Sequence, residues 1–99
     1  MLIPKQFRIN GVLYGVHVVE QVSVRRAVGL IHYDTQKVIL AERNNVSGRV
    51  LSTRKRTEVF WHEVVHGVLH DMQHKLRDDE KFVEDVAVRL TDVIWSARF

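Results

Sequence analysis

Apolar and polar residues alternate through the first half of the chain, and this pattern predicts β-strands. Residues 6–20 read QFRINGVLYGVHVVE, with β-branched and aromatic residues on both sides of Asn10-Gly11, a pair preferred in tight β-hairpin turns. A second hairpin is predicted from Gly29–Tyr33 and Lys37–Ala41, with its turn beginning at Asp34. Asparagine, serine and glycine at positions 44–48 mark the loop that ends this β half.

From about Ser52 the apolar residues follow the period of a helix. On a helical wheel these residues fall in one sector, which we expect to face the core. The sector consists of Trp61, Val64, Val65, Val68, Leu69 and Met72. The start of this first helix stays open. Ser52 can act as N-cap but leaves basic residues in the first turn, where the helix dipole disfavours them, and a start at Thr57 avoids that conflict.

Residues 78–99 predict a second helix, with Asp78 or Asp79 near its N-cap. Its apolar stripe consists of Val83, Val86, Ala87, Leu90, Val93 and Ile94. Trp95 and Phe99 are expected to be exposed and would be natural contacts in a dimer. The predicted fold class is α+β: two β-hairpins forming a small antiparallel sheet, followed by two packed helices, in a single domain covering residues 1–99.

Composition narrows the classes of function. A chain of 99 residues with 45% hydrophobic and 27% charged residues fits one ordinary globular domain. The absence of cysteine excludes disulfides and thiolate zinc sites, so a transition-metal site must use histidine and carboxylate ligands. No apolar run is long enough to cross a bilayer, and the N-terminus lacks a secretory signal. The expected location is the cytoplasm.

The strongest chemical signal is HEVVH at residues 62–66, an HExxH sequence inside the predicted first helix. Histidines four residues apart lie on one helical face, about 6 Å apart along the axis, so both imidazoles can bind one ion. His62 and His66 fall at the edge of the apolar sector, in a seam with a neighbouring element. Glu63 is expected further towards solvent, where a general base would act.

The other histidines are weaker candidates, although four of the chain's six lie between residues 62 and 74. His70 would stand about 12 Å from His62 along the helix axis, too far for both to reach one zinc ion. We therefore expect His70 in a cleft or on the surface rather than at the metal. His74 is weaker still, and His17 and His32 are expected on strand surfaces.

The third ligand is predicted on the second helix. Glu80 lies in the sector that packs against the first helix and in the first helical turn, where the dipole favours an ionised carboxylate. Glu84 lies one turn later, nearer the edge of that sector. Glu84 and Asp79 both remain possible ligands, because an error of one residue in helical phase would exchange them with Glu80.

HEVVHGVLH followed by DDEKFVEDVAVRL resembles the small zincin metallopeptidase-like proteins of phages and prophages, related to the ImmA/IrrE and SprT-like families. In the ImmA/IrrE pattern, HExxH precedes a helix of the form ExxAxxFAxxLL. The corresponding places here are Glu80, Val83, Val86, Ala87 and Leu90. Valine replaces the family's alanine at Val83 and its phenylalanine at Val86. The segment GLIHYDTQKVIL is similar to the strand pair before the catalytic helix of such proteins.

The resemblance implies a minimal zincin-like fold and a zinc-dependent metallopeptidase that hydrolyses a protein or peptide. If a phage encodes the protein, the expected location is the host-cell cytoplasm. It assigns the zinc ligands to His62, His66 and Glu80, and the general base acting on a zinc-bound water to Glu63. The edge strand of the second hairpin could hold an extended peptide by main-chain pairing. Candidates for the oxyanion donor are Tyr33, His70 and His74.

Two other functions fit the same residues. A closed zinc site could stabilise a small, non-catalytic binding module. A nucleic-acid-associated phage protein could use the basic cluster before the histidine segment, and its binding would weaken steeply with salt. That cluster consists of Arg49, Arg54, Lys55 and Arg56. A solvated basic loop is the favoured reading of the cluster, because no recognition motif accompanies it.

Overall fold

The computed structural model describes residues 3–23 and 27–99. The described residues form, in chain order, β1 Gln6–Ile9, β2 Val12–Val19, β3 Gly29–His32, β4 Lys37–Ala41, α1 Thr53–Asp71 and α2 Glu80–Ser96. These elements make a sheet followed by two helices, so the predicted α+β fold class is confirmed. Within the described ranges, no helix is both long and apolar enough to cross a membrane.

Both predicted hairpins are present. β1 and β2 pair antiparallel around Asn10 and Gly11, whose φ angles of 47° and 83° are the two positive values that a type I′ turn requires. β3 and β4 also pair antiparallel, from Gly29 opposite Leu40 to His32 opposite Lys37. Local turn chemistry therefore determines each hairpin.

The prediction of an antiparallel sheet is wrong where the two hairpins join. β2 and β4 pair in parallel, from Gly15 opposite Lys37 to Val19 opposite Ala41. The strand order is β1-β2-β4-β3, so the sheet is mixed and β1 and β3 form its edges. After β2 the chain passes beyond the position of β4 to form β3 first, and β4 then returns between them in the direction of β2.

α1 lies between the sheet and α2. Its residues Val59, Phe60 and Val64 pack against Val38 and Leu40 of the sheet. On its other side, Val65 and Leu69 of α1 pack with Val83 of α2 in a second cluster. Among the elements of the described chain, α2 contacts α1 and no strand. The molecule is therefore layered as sheet, α1 and α2, and α1 is buried over more than one sector.

This layering corrects the core predicted for both helices. Val68 and Met72, placed in the apolar sector of α1, are 38% and 61% exposed. In α2, Val83 and Ala87 are fully buried as predicted, whereas Val93 is 64% exposed. A helical wheel centred on one apolar sector assumes a single buried face. The sheet and α2 both cover α1, whereas only α1 covers α2, so the wheel misplaces these residues.

The first turn of α1 resolves the open helix boundary. The helix begins at Thr53, and the Ser52 hydroxyl caps it by accepting from the Lys55 amide at 3.1 Å. Two cations of this turn have acidic partners: Arg54 lies 3.6 Å from Glu58 and 3.3 Å from Asp92, and Lys55 lies 3.9 Å from Glu58. Ion pairing therefore offsets the unfavourable interaction of these cations with the helix dipole.

At the C-terminus of α2 the two predicted exposed aromatic residues differ. Phe99 is fully exposed. Trp95 is half-buried, because the guanidinium of Arg54 lies over its ring at 5.6 Å from the centroid. This contact packs the C-terminal end of α2 against the first turn of α1.

Candidate metal centre

The two histidines of the HExxH sequence lie on the face of α1 that meets α2. Their side chains are 16% and 11% exposed for His62 and His66, and their rings are in edge contact at 4.9 Å between centroids. One helical turn separates them, so both imidazoles point into the same seam between the helices, as predicted from the spacing.

Glu80 completes this cluster from α2. One of its carboxylate oxygens lies 3.0 Å from Nε2 of His62, and the other lies 3.0 Å from Nε2 of His66. Asp79 caps the helix by accepting from the Phe82 amide, which fixes Glu80 as the first residue of α2. The structure thus brings together the three predicted ligands, whereas Asp79, weighed as an alternative, is used as the cap.

The donor atoms of His62, His66 and Glu80 suit a divalent cation. One ligand atom from each residue lies within 4.8 Å of the others. Two donors of a tetrahedral zinc ion, each about 2.1 Å from the metal, are about 3.4 Å apart, which is within the 4.8 Å limit on the separations found here. The three side chains could therefore hold a metal ion after small movements, and two imidazoles with one carboxylate are a donor set that zinc accepts.

A second set of contacts orients the two imidazoles. Nδ1 of His62 lies 2.7 Å from a Glu84 carboxylate oxygen, within hydrogen-bond distance. Nδ1 of His66 donates to the main-chain carbonyl of Arg77 at 2.9 Å. Nε2 of each ring faces a Glu80 oxygen, so a metal ion bound at Nε2 would leave the proton on Nδ1. This tautomer is the one that a metal ligand needs, and such outer contacts also fix the ring orientation.

The loop between the helices places the Arg77 carbonyl. α1 ends in a Schellman motif: the Gln73 amide donates to His70 and the His74 amide donates to Leu69, with Gln73 at a φ of 52°. The ring of His74 then accepts from the Leu76 amide at 3.0 Å and stacks on Phe82. His74 therefore stabilises this loop. The sequence analysis considered His74 only as a weak candidate for the site and did not predict this structural role.

Glu63 is not where the helical wheel predicts it. The residue is 8% exposed, so the expectation that it lies towards solvent is wrong. It is covered by β3, because Gly29 brings the strand so close that an added Cβ there would lie 3.3 Å from a Glu63 carboxylate oxygen and 2.5 Å from Val59. The wheel considers one helix alone and cannot show that a strand covers this side of α1.

Burial raises the pKa of the Glu63 carboxyl to about 7, because an ionised carboxylate is disfavoured where water is excluded. The His66 imidazole lowers this pKa, and the negative charges of Glu80 and Glu84 raise it. A bound cation would add a positive charge beside the group and favour its ionised form. Glu63 is thus a carboxylate whose charge depends on what occupies the centre beside it.

A cleft of about 390 Å³ opens beside these residues, along the edge strand β3. The residues that line it are Ala27, Val28, Gly29, Leu30, Lys55, Val59, His62, Glu63, His66, Glu80 and Glu84. The Val28 carbonyl accepts from the Ala41 amide of the neighbouring chain segment. Because main-chain groups alternate in direction along an antiparallel strand, Gly29 and Ile31 direct theirs away from β4. This edge of the sheet can therefore pair with another extended chain.

Tyr33 and His70 lie together beyond the end of β3. Their rings stack at 3.8 Å between centroids with an angle of 12° between planes. Burial, followed by the charge of Glu63, raises the pKa of Tyr33 to about 12, so its hydroxyl keeps its proton near neutral pH. His70 is exposed and lies outside the ligand cluster. Neither residue is among the described residues that line the cleft.

The remaining predicted residues lie away from this centre. His17 and His32 are exposed on their strands, as expected. Arg49 is exposed in the loop before α1, and the Nε atom of Arg56 is buried. Since Arg54 pairs with acidic residues and stacks on Trp95, the basic cluster does not form a uniform free surface.

The structure adds features of the site that the sequence did not indicate. The Arg77 carbonyl that contacts His66 is a main-chain acceptor, and no residue type in the sequence indicates such a contact. The contribution of Gly29 depends on strand order, and Lys55 enters the cleft only because α1 starts at Thr53. The position of Lys55 could have been inferred from the sequence, because Lys55 precedes His62 by seven residues and residues seven apart share a helical face.

Comparison with known proteins gives no match to a family model, a curated protein or a solved structure. Interpretation of the centre therefore depends on its own geometry.

Proposed function

We propose that the protein is a zinc-dependent metallopeptidase that hydrolyses a protein or peptide substrate, as the resemblance to small zincins implies. The observation that carries the proposal is the convergence of His62, His66 and Glu80 beside the buried Glu63, all lining one open cleft. A site built only for stability would have no use for an additional buried carboxylate beside an open cleft. The combination favours catalysis over a purely structural metal.

Each residue has a role that follows from its contacts. His62, His66 and Glu80 would hold the ion, with Glu84 and the Arg77 carbonyl orienting the imidazoles. When bound, zinc supplies Lewis acidity that activates water and polarises a carbonyl. Glu63 would take a proton from the attacking water and deliver it to the departing amine. Its covered position beside β3 keeps bulk water from competing for that proton.

The edge of β3 would hold the substrate. Gly29 and Ile31 offer main-chain donors and acceptors on the free side of the strand, next to Glu63 and the ligand cluster. An extended peptide paired there would have its main chain alongside the metal centre. This geometry favours substrates that are unfolded or present an extended loop.

The test compares zinc-loaded wild type with Glu63→Gln on a mixture of random-sequence peptides, with cleavage read by mass spectrometry. The substitution keeps the size of the side chain and removes its ability to accept a proton. We expect cleavage by wild type and a hundredfold to ten-thousandfold lower rate in the variant, the usual effect of losing a general base. Zinc content and melting temperature are measured on both proteins.

Glu20→Gln provides the control, because it makes the same change at a 79% exposed glutamate just after β2, outside the cleft lining. It should retain cleavage. Equal zinc in all proteins, with no cleavage by wild type beyond that of Glu63→Gln, would contradict the proposal and point to a zinc-stabilised binding module.

A further inference from the structure

Lys55 contributes a cationic side chain to a cleft whose other ionisable lining groups are two histidines and glutamates. Its side chain is 49% exposed, and its nearest carboxylate, Glu58, is 3.9 Å away and also lies 3.6 Å from Arg54. Because one carboxylate serves two cations, the charge of Lys55 is only partly compensated. The cleft is therefore negative around the ligand cluster and positive at one end.

The distance between Lys55 and the metal centre suits a peptide ligand. Lys55 precedes His62 by two turns of α1, which is about 10 Å along the helix axis. An extended chain rises about 3.3 Å per residue, so this span corresponds to about three residues of a bound peptide. With the reach of the lysine side chain, a carboxylate about two to four residues from the reacting bond could contact its Nζ atom.

The contacts between β3 and α1 show how the strand is directed relative to the helix, and therefore how a paired peptide would run. Gly29 lies against Val59 and Glu63, Ile31 lies against Gly67, and the next turn brings Tyr33 against His70. Strand and helix therefore run the same way, and Lys55 lies near the N-terminal end of β3. A peptide paired antiparallel to β3, the slightly more stable arrangement, would direct its C-terminal part towards Lys55.

We propose that Lys55 determines specificity by binding a carboxylate two to four residues C-terminal to the cleaved bond. The proposal rests on the proposed peptidase function and names its substrate class: extended peptides with an acidic group at that place. The group can be an aspartate or glutamate side chain, or the free C-terminal carboxylate of a short substrate. Acidic residues nearer the metal would face Glu80 and Glu84 and be disfavoured.

Binding and cleavage can be measured separately. Fluorescent peptides of one sequence carry glutamate, glutamine or lysine at each position around the central bond, with amidated C-termini. A second series is neutral and ends two to four residues after that bond, as free acid or amide. Affinity is measured by anisotropy on zinc-loaded Glu63→Gln, and cleavage on zinc-loaded wild type. The two series distinguish the side-chain and C-terminal sources of the carboxylate.

We expect about fivefold tighter binding for the acidic peptide at the C-terminal position, the scale of a partly exposed ion pair. Lys55→Glu in the Glu63→Gln background should reverse the preference towards lysine at that position, and Lys55→Gln should abolish it. Lys5→Glu is the matched control, since it makes the same charge change before β1, at the opposite edge of the sheet. It should leave the preference unchanged.

A preference that survives Lys55→Glu, or one located N-terminal to the cleaved bond, would overturn the proposal. So would peptides that bind equally with glutamate and glutamine at every position. Failure of the peptidase function gives a different result: binding by the Glu63→Gln protein would still depend on Lys55, while wild type would cleave none of the peptides.

Discussion

Opposite faces of α1 border two depressions of similar size and different chemistry. The cleft beside β3 encloses about 390 Å³ and contains the ligand cluster, Glu63 and Lys55. The groove beside β1 encloses about 450 Å³ and is lined mainly by apolar residues, including Phe7, Phe60 and Trp61. Volume does not distinguish them. Convergent ionisable groups that orient one another distinguish the β3 cleft, and this feature marks functional sites.

The two depressions also differ in how their polar groups are satisfied. In the β3 cleft, each nitrogen of His62 and His66 has a partner from α2 or the loop before it. In the β1 groove, the indole N–H of Trp61 is buried and has no partner within the described part of the chain. The β3 cleft is therefore polar and hydrogen-bonded, whereas the β1 groove is mainly apolar, and each substitution tested below changes one of the two.

The largest change in stability is expected from Glu63→Gln in protein stripped of metal by a chelator. The pKa of Glu63 rises from its usual 4.5 to about 7 through burial. Between these values the folded protein holds a proton that the unfolded chain has released, so the stability of wild type falls as pH rises. Glutamine removes this dependence. At pH 8 the variant should be more stable by up to about 3 kcal/mol, since each pKa unit corresponds to about 1.4 kcal/mol.

Urea unfolding at several values between pH 5 and 8 measures this effect on wild type and Glu63→Gln. Glu20→Gln is the control, because the Glu20 side chain is 79% exposed and should leave the pH dependence of wild type intact. Parallel pH profiles for wild type and Glu63→Gln would show that burial does not hold the proton on Glu63.

Glu84→Gln should weaken zinc binding ten- to hundredfold, the usual cost of losing an outer partner of a metal ligand. The reason is that zinc bound at Nε2 of His62 would leave the proton on Nδ1, which lies 2.7 Å from a Glu84 carboxylate oxygen, and a neutral amide holds that proton less strongly. Competition with a chromophoric chelator measures the affinity. Asp85→Asn changes the next residue, which pairs with Lys81 on the exposed side of α2, and should bind zinc like wild type. Equal affinities for both variants would contradict this role of Glu84.

Gly29→Ala should reduce the free energy of unfolding by about 1–3 kcal/mol, the usual cost of inserting an atom into a packed interior. The added Cβ would lie 2.5 Å from Cγ1 of Val59, a β-branched side chain with little rotational freedom. β3 and α1 would separate beside Glu63, so cleavage should fall as well. Urea unfolding measures the loss.

Gly15→Ala is the control for this substitution. Its added Cβ would meet the end of the exposed His17 side chain at 3.1 Å, and that ring can turn aside. Similar losses of stability for Gly15→Ala and Gly29→Ala would show that β3 does not approach α1 as closely as described.

The smallest effect is expected in the β1 groove. Trp61→Phe removes apolar area but also removes the buried N–H that lacks a partner, and these two contributions oppose each other. We expect a change in unfolding free energy below about 1 kcal/mol, because the lost apolar area is offset by removal of the unsatisfied donor, with zinc affinity unchanged. Thermal unfolding with and without zinc measures both quantities. A loss of zinc affinity here would show that the two faces of α1 are coupled.

Local sequence signals predicted the elements and the ligand cluster well. Asn10 and Gly11 specify their turn because only certain residues accept two consecutive positive φ angles. The four-residue spacing of His62 and His66 places both on one helical face whatever the surrounding fold. Glu80 was predicted from the same helical period and from its place in the first turn of the second helix, and the structure places it there.

Features set by the arrangement of elements could not be predicted in this way. The parallel pairing of β2 with β4 depends on the path of the chain between hairpins, which no turn residue specifies. Glu63 is buried because β3 covers it, and its residue type and helical phase carry no sign of that strand. The contact between His66 and the Arg77 carbonyl could not be predicted either, since it depends on the path of the loop and not on the arginine side chain.

The central claim is that His62, His66 and Glu80 form a zinc site, and elemental analysis tests it most directly. Wild type, His66→Ala, Glu80→Ala and the exposed-histidine control His17→Ala are purified without a histidine tag and dialysed against zinc and then against buffer. We predict one zinc ion per chain in wild type and His17→Ala, and far less than one in the two ligand variants. Wild type that retains no zinc after this treatment would contradict the account.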